Sequence, residues 1–279
     1  MSNGTLTQTY SNVQYKKYKY LYSGTTYNDI HVFTTLTTQG IAPAISTTKI
    51  ALSDINPATV SSNNVIAKIN ACMFDYGTSN FYGFFYQGSG YPMYINGTAY
   101  TSVPTSSSMY TDPKFWPSFC VKTDGTANIR WFGSSTALST AIPYCRYIIG
   151  SCHPLVFNSK CVFNERVYDS ESTSKLIYDP QKTITDIRFN EGIGTGSTGS
   201  AIRTLLGHKS GGTYVMGCPD SSMNLKTAAI LMQDLGCDYA VAMDGGTPSE
   251  MRIKDGYGAN GKVTAGSGHT LNTAVCAYI

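Results

Sequence analysis

No apolar run in the 279 residues approaches the ~18 that a membrane-spanning helix needs. Charge is also scarce. Charged residues make up 13% of the chain, about half the usual share, and 20 Lys and Arg against 17 Asp and Glu leave a net charge of +3. So small a surplus argues against specific binding to nucleic acid. The eight cysteines, at 72, 120, 145, 152, 161, 218, 237 and 276, form no C-x-x-C pair and match no zinc-site spacing. The four histidines (31, 153, 208 and 269) are scattered without ligand spacing, so each reads as structural. There is no P-loop, no H-E-x-x-H and no G-x-S-x-G, which disfavours a Walker-type phosphate cradle, a zincin and an elbow-type serine hydrolase. Residues 1–22 lack an apolar h-region, so no signal peptide is expected. The expected location is the cytoplasm of the producing cell or a virion surface, with no membrane partner. The cysteines are then expected as reduced, buried thiols.

A hydrophobic share of 42% excludes a disordered chain. Polarity comes from Ser, Thr, Asn, Gly and 21 Tyr, a mixture that suits strands and loops better than long helices. Residues 10–37 alternate aromatic or β-branched residues with polar ones, and Gly24–Asn28 makes a turn, giving two or three strands. Phe119–Lys122 and Ile129–Phe132 form a hairpin across Asp124-Gly125. Residues 76–113 and 164–182 show no sustained period. The clearest helix is 224–235: Asn224 is its N-cap, Leu225, Ala228, Ala229, Met232 and Leu235 form one apolar face, and Gly236 stands at the C-cap. Residues 239–243 (YAVAM) read as a short buried strand ending in Asp244-Gly245-Gly246. The expected fold is α+β, one domain over residues 1–279, with a curved, mixed, mostly antiparallel sheet and few helices.

Gly194 to Gly199 matches G-x-G-x-x-G, but a hairpin follows instead of a helix, so the segment reads as a loop and not a dinucleotide site. Asp244-Gly245-Gly246 has two readings of equal weight. One is a carboxylate held at a strand end beside glycines that admit a ligand; the other is a tight turn capped by Asp. Arg203 beside an apolar run calls for an anionic partner, either a protein carboxylate or a ligand phosphate. Asn70, within an apolar run, must be hydrogen-bonded in the core or in a site.

Four segments in order resemble the phosphodiester glycosidase family, that of N-acetylglucosamine-1-phosphodiester α-N-acetylglucosaminidase. They are Ile69-Asn70-Ala71-Cys72-Met73-Phe74, Arg203-Thr204-Leu205-Leu206-Gly207, Ser222–Ala229 with Leu235-Gly236, and Met243-Asp244-Gly245-Gly246-Thr247-Pro248-Ser249. The hairpin around Asp124-Gly125 and the closing Leu271–Val275 also fit. The resemblance covers about residues 50–279, with residues 1–49 as N-terminal strands of the same domain. Ala71 and Cys72 replace two glycines of the family pattern, and Thr247-Pro248 replace a Gly-Ser step.

The resemblance implies a hydrolase of sugar 1-phosphodiesters. A phosphate monoester leaves as a stable anion, so the reaction needs little leaving-group protonation. It needs donors for the growing charge and a carboxylate to activate water or stabilise an oxocarbenium-like carbon. On this reading Asp244 is the carboxylate, with Asp75 and Glu250 as second candidates. Arg203 forks onto phosphate, and Asn70 and Thr204 orient sugar or phosphate. Gly245 and Gly246 supply backbone N–H donors, and Ser249 and Cys72 line the substrate. The partner is a sugar-phosphate small molecule or polymer. No cofactor is required by this reading; a divalent cation such as calcium, held by carboxylates and loop carbonyls, stays open. Two other functions stay open too: a non-catalytic carbohydrate- or nucleotide-binding module, phage-encoded or virion-associated, and an intracellular binder or hydrolase of a small nucleotide. Convergence of Asn70, Arg203 and Asp244 in one place separates the enzyme readings from the module.

Overall fold

The computed structural model describes residues 5–10, 13–35, 40–72, 81, 83–106, 110, 117–150, 152–164, 167–169, 172–178, 199–254 and 270–279. Alternating and fully apolar runs become strands in four sheets. The largest has eight strands, ordered β1 (Thr5–Tyr10), β2 (Val13–Tyr22), β3 (Thr25–Thr35), β17 (Thr213–Pro219), β16 (Leu205–Lys209), β18 (Tyr239–Ala242), β12 (His153–Phe157) and β13 (Lys160–Cys161). A six-stranded sheet runs β10 (Ala127–Trp131), β9 (Pro117–Lys122), β11 (Cys145–Ile149), β6 (Phe84–Tyr86), β7 (Met93–Ile95) and β8 (Thr98–Tyr100). A four-stranded sheet runs β19 (Met251–Ile253), β5 (Val65–Asn70), β20 (Leu271–Tyr278) and β4 (Gly40–Ile50), and β14 (Val167–Asp169) pairs with β15 (Ser172–Tyr178).

The expected α+β architecture of curved antiparallel sheet with few helices holds, and the sheet curls into a half-barrel. It differs from the expectation in two respects: the strands divide among four sheets, and every pairing among the described strands is antiparallel rather than mixed. Segments 76–113 and 164–182, which carry no clear period, contribute β6, β7, β8, β14 and β15. Four of these five strands have only three residues, too short for alternation to register in sequence.

Turn chemistry sets the hairpins. Ser23 (φ 49°) and Gly24 (φ 78°) join β2 to β3, and two positive-φ residues match the right-handed twist of the flanking strands. At Asp124-Gly125, the Asp124 carboxylate accepts from the Thr126 N–H at 2.9 Å, and Gly125 takes φ +84°.

Two α-helices occur among the described residues, α1 (Ser135–Ala141) and α2 (Leu225–Asp234). In α2 the Asn224 side chain accepts from the Thr227 N–H at 2.8 Å, satisfying one orphan donor of the first turn. Its face of Leu225, Ala228, Ala229, Leu231 and Met232 is fully buried, and α2 packs on β12 and β18. It comes so close to β16 that a Cβ on Gly207 would stand 2.7 Å from both the Met232 Cε and the Cys237 Sγ. One core cluster draws Tyr15 and Phe33 from the largest sheet, Phe85 and Phe119 from the second, Ile69 and Val275 from the third, and Leu225 and Met232 from α2. All eight cysteines are buried and none is in a disulfide, as expected for reduced thiols.

This packing brings five strand ends to one rim. Asn70 closes β5, and Met243-Asp244 follow β18. Arg203-Thr204 precede β16, Glu250 precedes β19, and Leu271-Asn272-Thr273 open β20.

Candidate active site

Asn70 is the node at that rim. It is 1% exposed, and its side chain binds three other segments. Its Nδ2 donates to the main-chain carbonyl of Asp244 at 2.8 Å. Its Oδ1 accepts from the Thr204 hydroxyl at 2.6 Å and from the Glu250 N–H at 3.0 Å. Three of the four hydrogen-bond positions of the amide are thereby filled from within the protein. Around it, the Asp244 N–H donates to Ala71 O at 3.0 Å, the Met243 N–H to Thr204 O at 2.8 Å, and the Ala71 N–H to Thr273 O at 3.2 Å. The polar residue inside the apolar run is therefore a clamp that sets the Asp244 loop. Both Asn70 and Thr204 are buried and hydrogen-bonded to protein partners.

Arg203 is buried in the same way. Its side chain is 0% exposed; Nε donates to Met223 O at 3.0 Å and Nη2 to Gly199 O at 2.9 Å. Nε and Nη2 are thus engaged by main-chain carbonyls while Nη1 lies against Gly245, and burial pulls the guanidinium pKa down to about 10. The Asp244-Gly245-Gly246 loop lies directly on it. A Cβ on Gly245 would come within 3.1 Å of Ile202 O and 3.4 Å of Arg203 Nη1, so glycine here lets loop and guanidinium touch. Gly246 is needed for its conformation, with φ +78° and open space around it. The Gly246 N–H donates to Ile202 O at 2.8 Å, and the Gly245 N–H supports the Asp244 carboxylate. Both N–H groups thus have acceptors within the protein.

Ser249 and Glu250 close the loop through contacts within the protein. The Ser249 hydroxyl donates to Ile202 O at 3.1 Å and its N–H to Gly246 O at 3.1 Å. Glu250, 3% exposed, is ion-paired through Oε1 with the Arg252 Nε. Cys72 is 3% exposed; its N–H donates to the Thr273 hydroxyl at 3.0 Å and its thiol to Gly150 O at 3.0 Å. Burial pushes that thiol well above its ordinary pKa, so it is a packed thiol and not a nucleophile. Asp75 and Met73 lie outside the described residues, as does the G-x-G-x-x-G loop apart from Gly199. Ala71 and Cys72, which replace family glycines, are both buried.

Asp244 remains. Its side chain is half-buried at the rim, and Thr247 in the same loop is exposed while Pro248 is buried. Burial raises its pKa from 3.8 to about 7, against the opposing pull of the Gly245 N–H. A carboxyl poised near neutrality where three motif segments meet is suited to proton transfer at physiological pH. Among the described residues, no group of three His, Cys, Asp or Glu side chains is placed to hold a metal ion.

Two residues near the site were not among the sequence candidates. His153 is buried on β12 opposite Ala242 of β18, with Nδ1 2.8 Å from Pro154 O and its ring stacked on Phe163. Burial pulls its pKa down to about 4, and the charge of Arg203 acts in the same direction. Thr273 anchors Cys72; it lies within the closing family segment, which could have flagged it. His153 carries no such signal, since nothing local ties it to Arg203, fifty residues on.

Thr204→Val tests the clamp, because it removes the hydroxyl donor while keeping shape. It is expected to cost about 1–2 kcal/mol, read as a lowered denaturant midpoint at unchanged slope.

The phosphodiester glycosidase family model matches residues 63–278, and the chain belongs to that family. The zebrafish N-acetylglucosamine-1-phosphodiester α-N-acetylglucosaminidase catalytic domain, auto-inhibited by its pro-peptide, is similar in fold. Its TM-score is 0.62 at 13% identity, over 99% of this chain and 88% of that one. A hypothetical protein from Synechocystis aligns with a TM-score of 0.56 at 10% identity, over 96% of this chain and 62% of that one. Comparison with curated protein sequences gives no match. These relatives lend no support to a phage origin.

Proposed function

We propose that the chain hydrolyses a sugar 1-phosphodiester, with Asp244 as the carboxylate that activates water or stabilises the anomeric carbon. The observation that carries this reading is the half-buried Asp244 carboxyl, with a pKa of about 7, fixed at the rim by Asn70. Family membership supports the reaction class. The phosphate monoester leaves as an anion, so one carboxylate suffices for proton chemistry. Arg203, Asn70 and Thr204 act as positioning residues: they hold the loop that carries Asp244 and do not themselves grip the substrate. Arg203 adds positive charge beneath the loop, which favours an anionic ligand above it even without direct contact.

The test is incubation with UDP-GlcNAc, GlcNAc-1-phosphodiesters and teichoic-acid-like polymers, measuring release of free sugar. Cleavage of at least one is expected. As a base, Asp244 must be ionised, so kcat/KM should rise with pH through about 7. A flat profile from pH 5 to 9 would remove Asp244 from proton transfer. The second reading is a non-catalytic carbohydrate- or nucleotide-binding module. Binding of these compounds without cleavage is its signature.

A further inference from the structure

Away from Asp244, the four-stranded sheet carries an unusual row of cations. Lys68 on β5 is 8% exposed, and its ammonium donates to Ser53 O at 2.6 Å and to the Asn56 side-chain oxygen at 2.9 Å. Both acceptors are neutral, and an ammonium has a third N–H to give. Arg252 stands directly opposite Lys68 in the β5–β19 register. Lys254, two residues beyond Arg252, continues the ladder through its N–H to Ile66 O at 2.9 Å and shares the Arg252 face. All three line one cavity of about 340 Å³, together with Ser53, Asn56 and Ser62.

Like charges placed opposite each other across strands destabilise a sheet, and burial increases the cost. Burial lowers the Lys68 pKa, and the charge of Arg252 adds to the fall. The nearby carboxylates are Glu250, ion-paired with Arg252, and Asp54, which accepts from the Ser53 hydroxyl at 3.2 Å and favours the charged form of Lys68. Among the described residues, three cations thus line the cavity and neither carboxylate does; the Lys254 ammonium also donates to Asn63 O at 2.6 Å. An arrangement that gathers cations around a solvent-reachable cavity, with a hydroxyl and an amide beside them, is stabilised by an anion entering it.

We propose that the cavity lined by Lys68, Arg252 and Lys254 is a second binding site, for a phosphate group. It is separate from the Asp244 rim but adjoins it, since Lys68 lies two residues, about 7 Å, along β5 from Asn70. The occupant is either a free phosphate ester or one phosphate within a longer sugar-phosphate chain.

The experiment is calorimetric titration of inorganic phosphate, and in a second arm poly(glycerol phosphate), into the full chain. Saturable binding is expected in the parent and in Asp244→Asn alike. Lys254→Glu, at an exposed position, and Lys68→Met should each weaken it about tenfold or more, the scale of one charge-assisted hydrogen bond. Tighter binding of the polymer, equally sensitive to Lys254→Glu, supports a phosphate within a chain. Inorganic phosphate binding as tightly supports a free phosphate ester. No saturable binding, or an affinity that Lys254→Glu leaves unchanged, overturns the proposal. So does binding lost in Asp244→Asn, which would place the anion at the rim. If Lys68→Met fails to fold, Lys254→Glu decides alone. The readout is binding, so the second site is tested even if the chain cleaves no sugar phosphodiester.

Discussion

Asp244→Asn is expected to lower turnover of any sugar 1-phosphodiester that the parent cleaves by about 10²–10⁴-fold, while the protein becomes more stable at alkaline pH. The two effects share one cause. Burial raises the Asp244 pKa from 3.8 to about 7, so between those values the folded chain holds a proton that the unfolded chain has released. The group therefore costs nothing below about pH 4. Stability falls as pH climbs toward 7, then levels off with the carboxylate held ionised in its half-buried site. Asparagine stays neutral throughout and keeps an oxygen for the Gly245 N–H. Relative to the parent, the variant should gain about 1–3 kcal/mol between pH 5 and pH 8, read from urea midpoints at both. Parent-like turnover would remove Asp244 from the mechanism. A stability difference that does not change with pH would mean that the carboxyl titrates as it does in water.

How much of the fold and site is legible in the sequence depends on the range of each interaction. The α2 cap at Asn224, its apolar face, and the glycine turns at Gly24 and Gly125 are local, and sequence alone places them. The burial of YAVAM between β16 and β12 is legible for the same reason: a run apolar on both faces has nowhere else to go. Asn70, Arg203 and Asp244 also stand out, because a polar group stranded in an apolar run demands a partner. Sequence does not say which partner. Asn70 meets Thr204 across 134 positions and Asp244 across 174, and Arg203 reaches main-chain carbonyls, which carry no residue signature. Backbone acceptors are invisible to motif reasoning, so the contacts that hold the site together cannot be read from sequence. The Glu250 ion pair is hidden for a related reason: its partner Arg252 is two residues away, a spacing that puts side chains on one face of a strand but looks unremarkable in a loop.

Arg203→Lys separates the two roles a buried guanidinium can have. If Arg203 gripped the phosphate, lysine would raise KM and leave stability nearly unchanged, since the charge persists. The observed contacts predict the reverse. Nε holds Met223 O and Nη2 holds Gly199 O from one planar group, and a single ammonium on a flexible stem cannot reach both. At least one buried carbonyl then loses its charged donor, and the loop resting on the guanidinium through Gly245 loses its floor. The expected cost is about 2–4 kcal/mol, seen as a lower urea midpoint, with KM within about twofold of the parent wherever the variant is folded. Because the Asp244 loop rests on this floor, kcat should fall while its pH dependence keeps the same limb near 7. A stable variant with a KM raised tenfold or more would return Arg203 to the substrate.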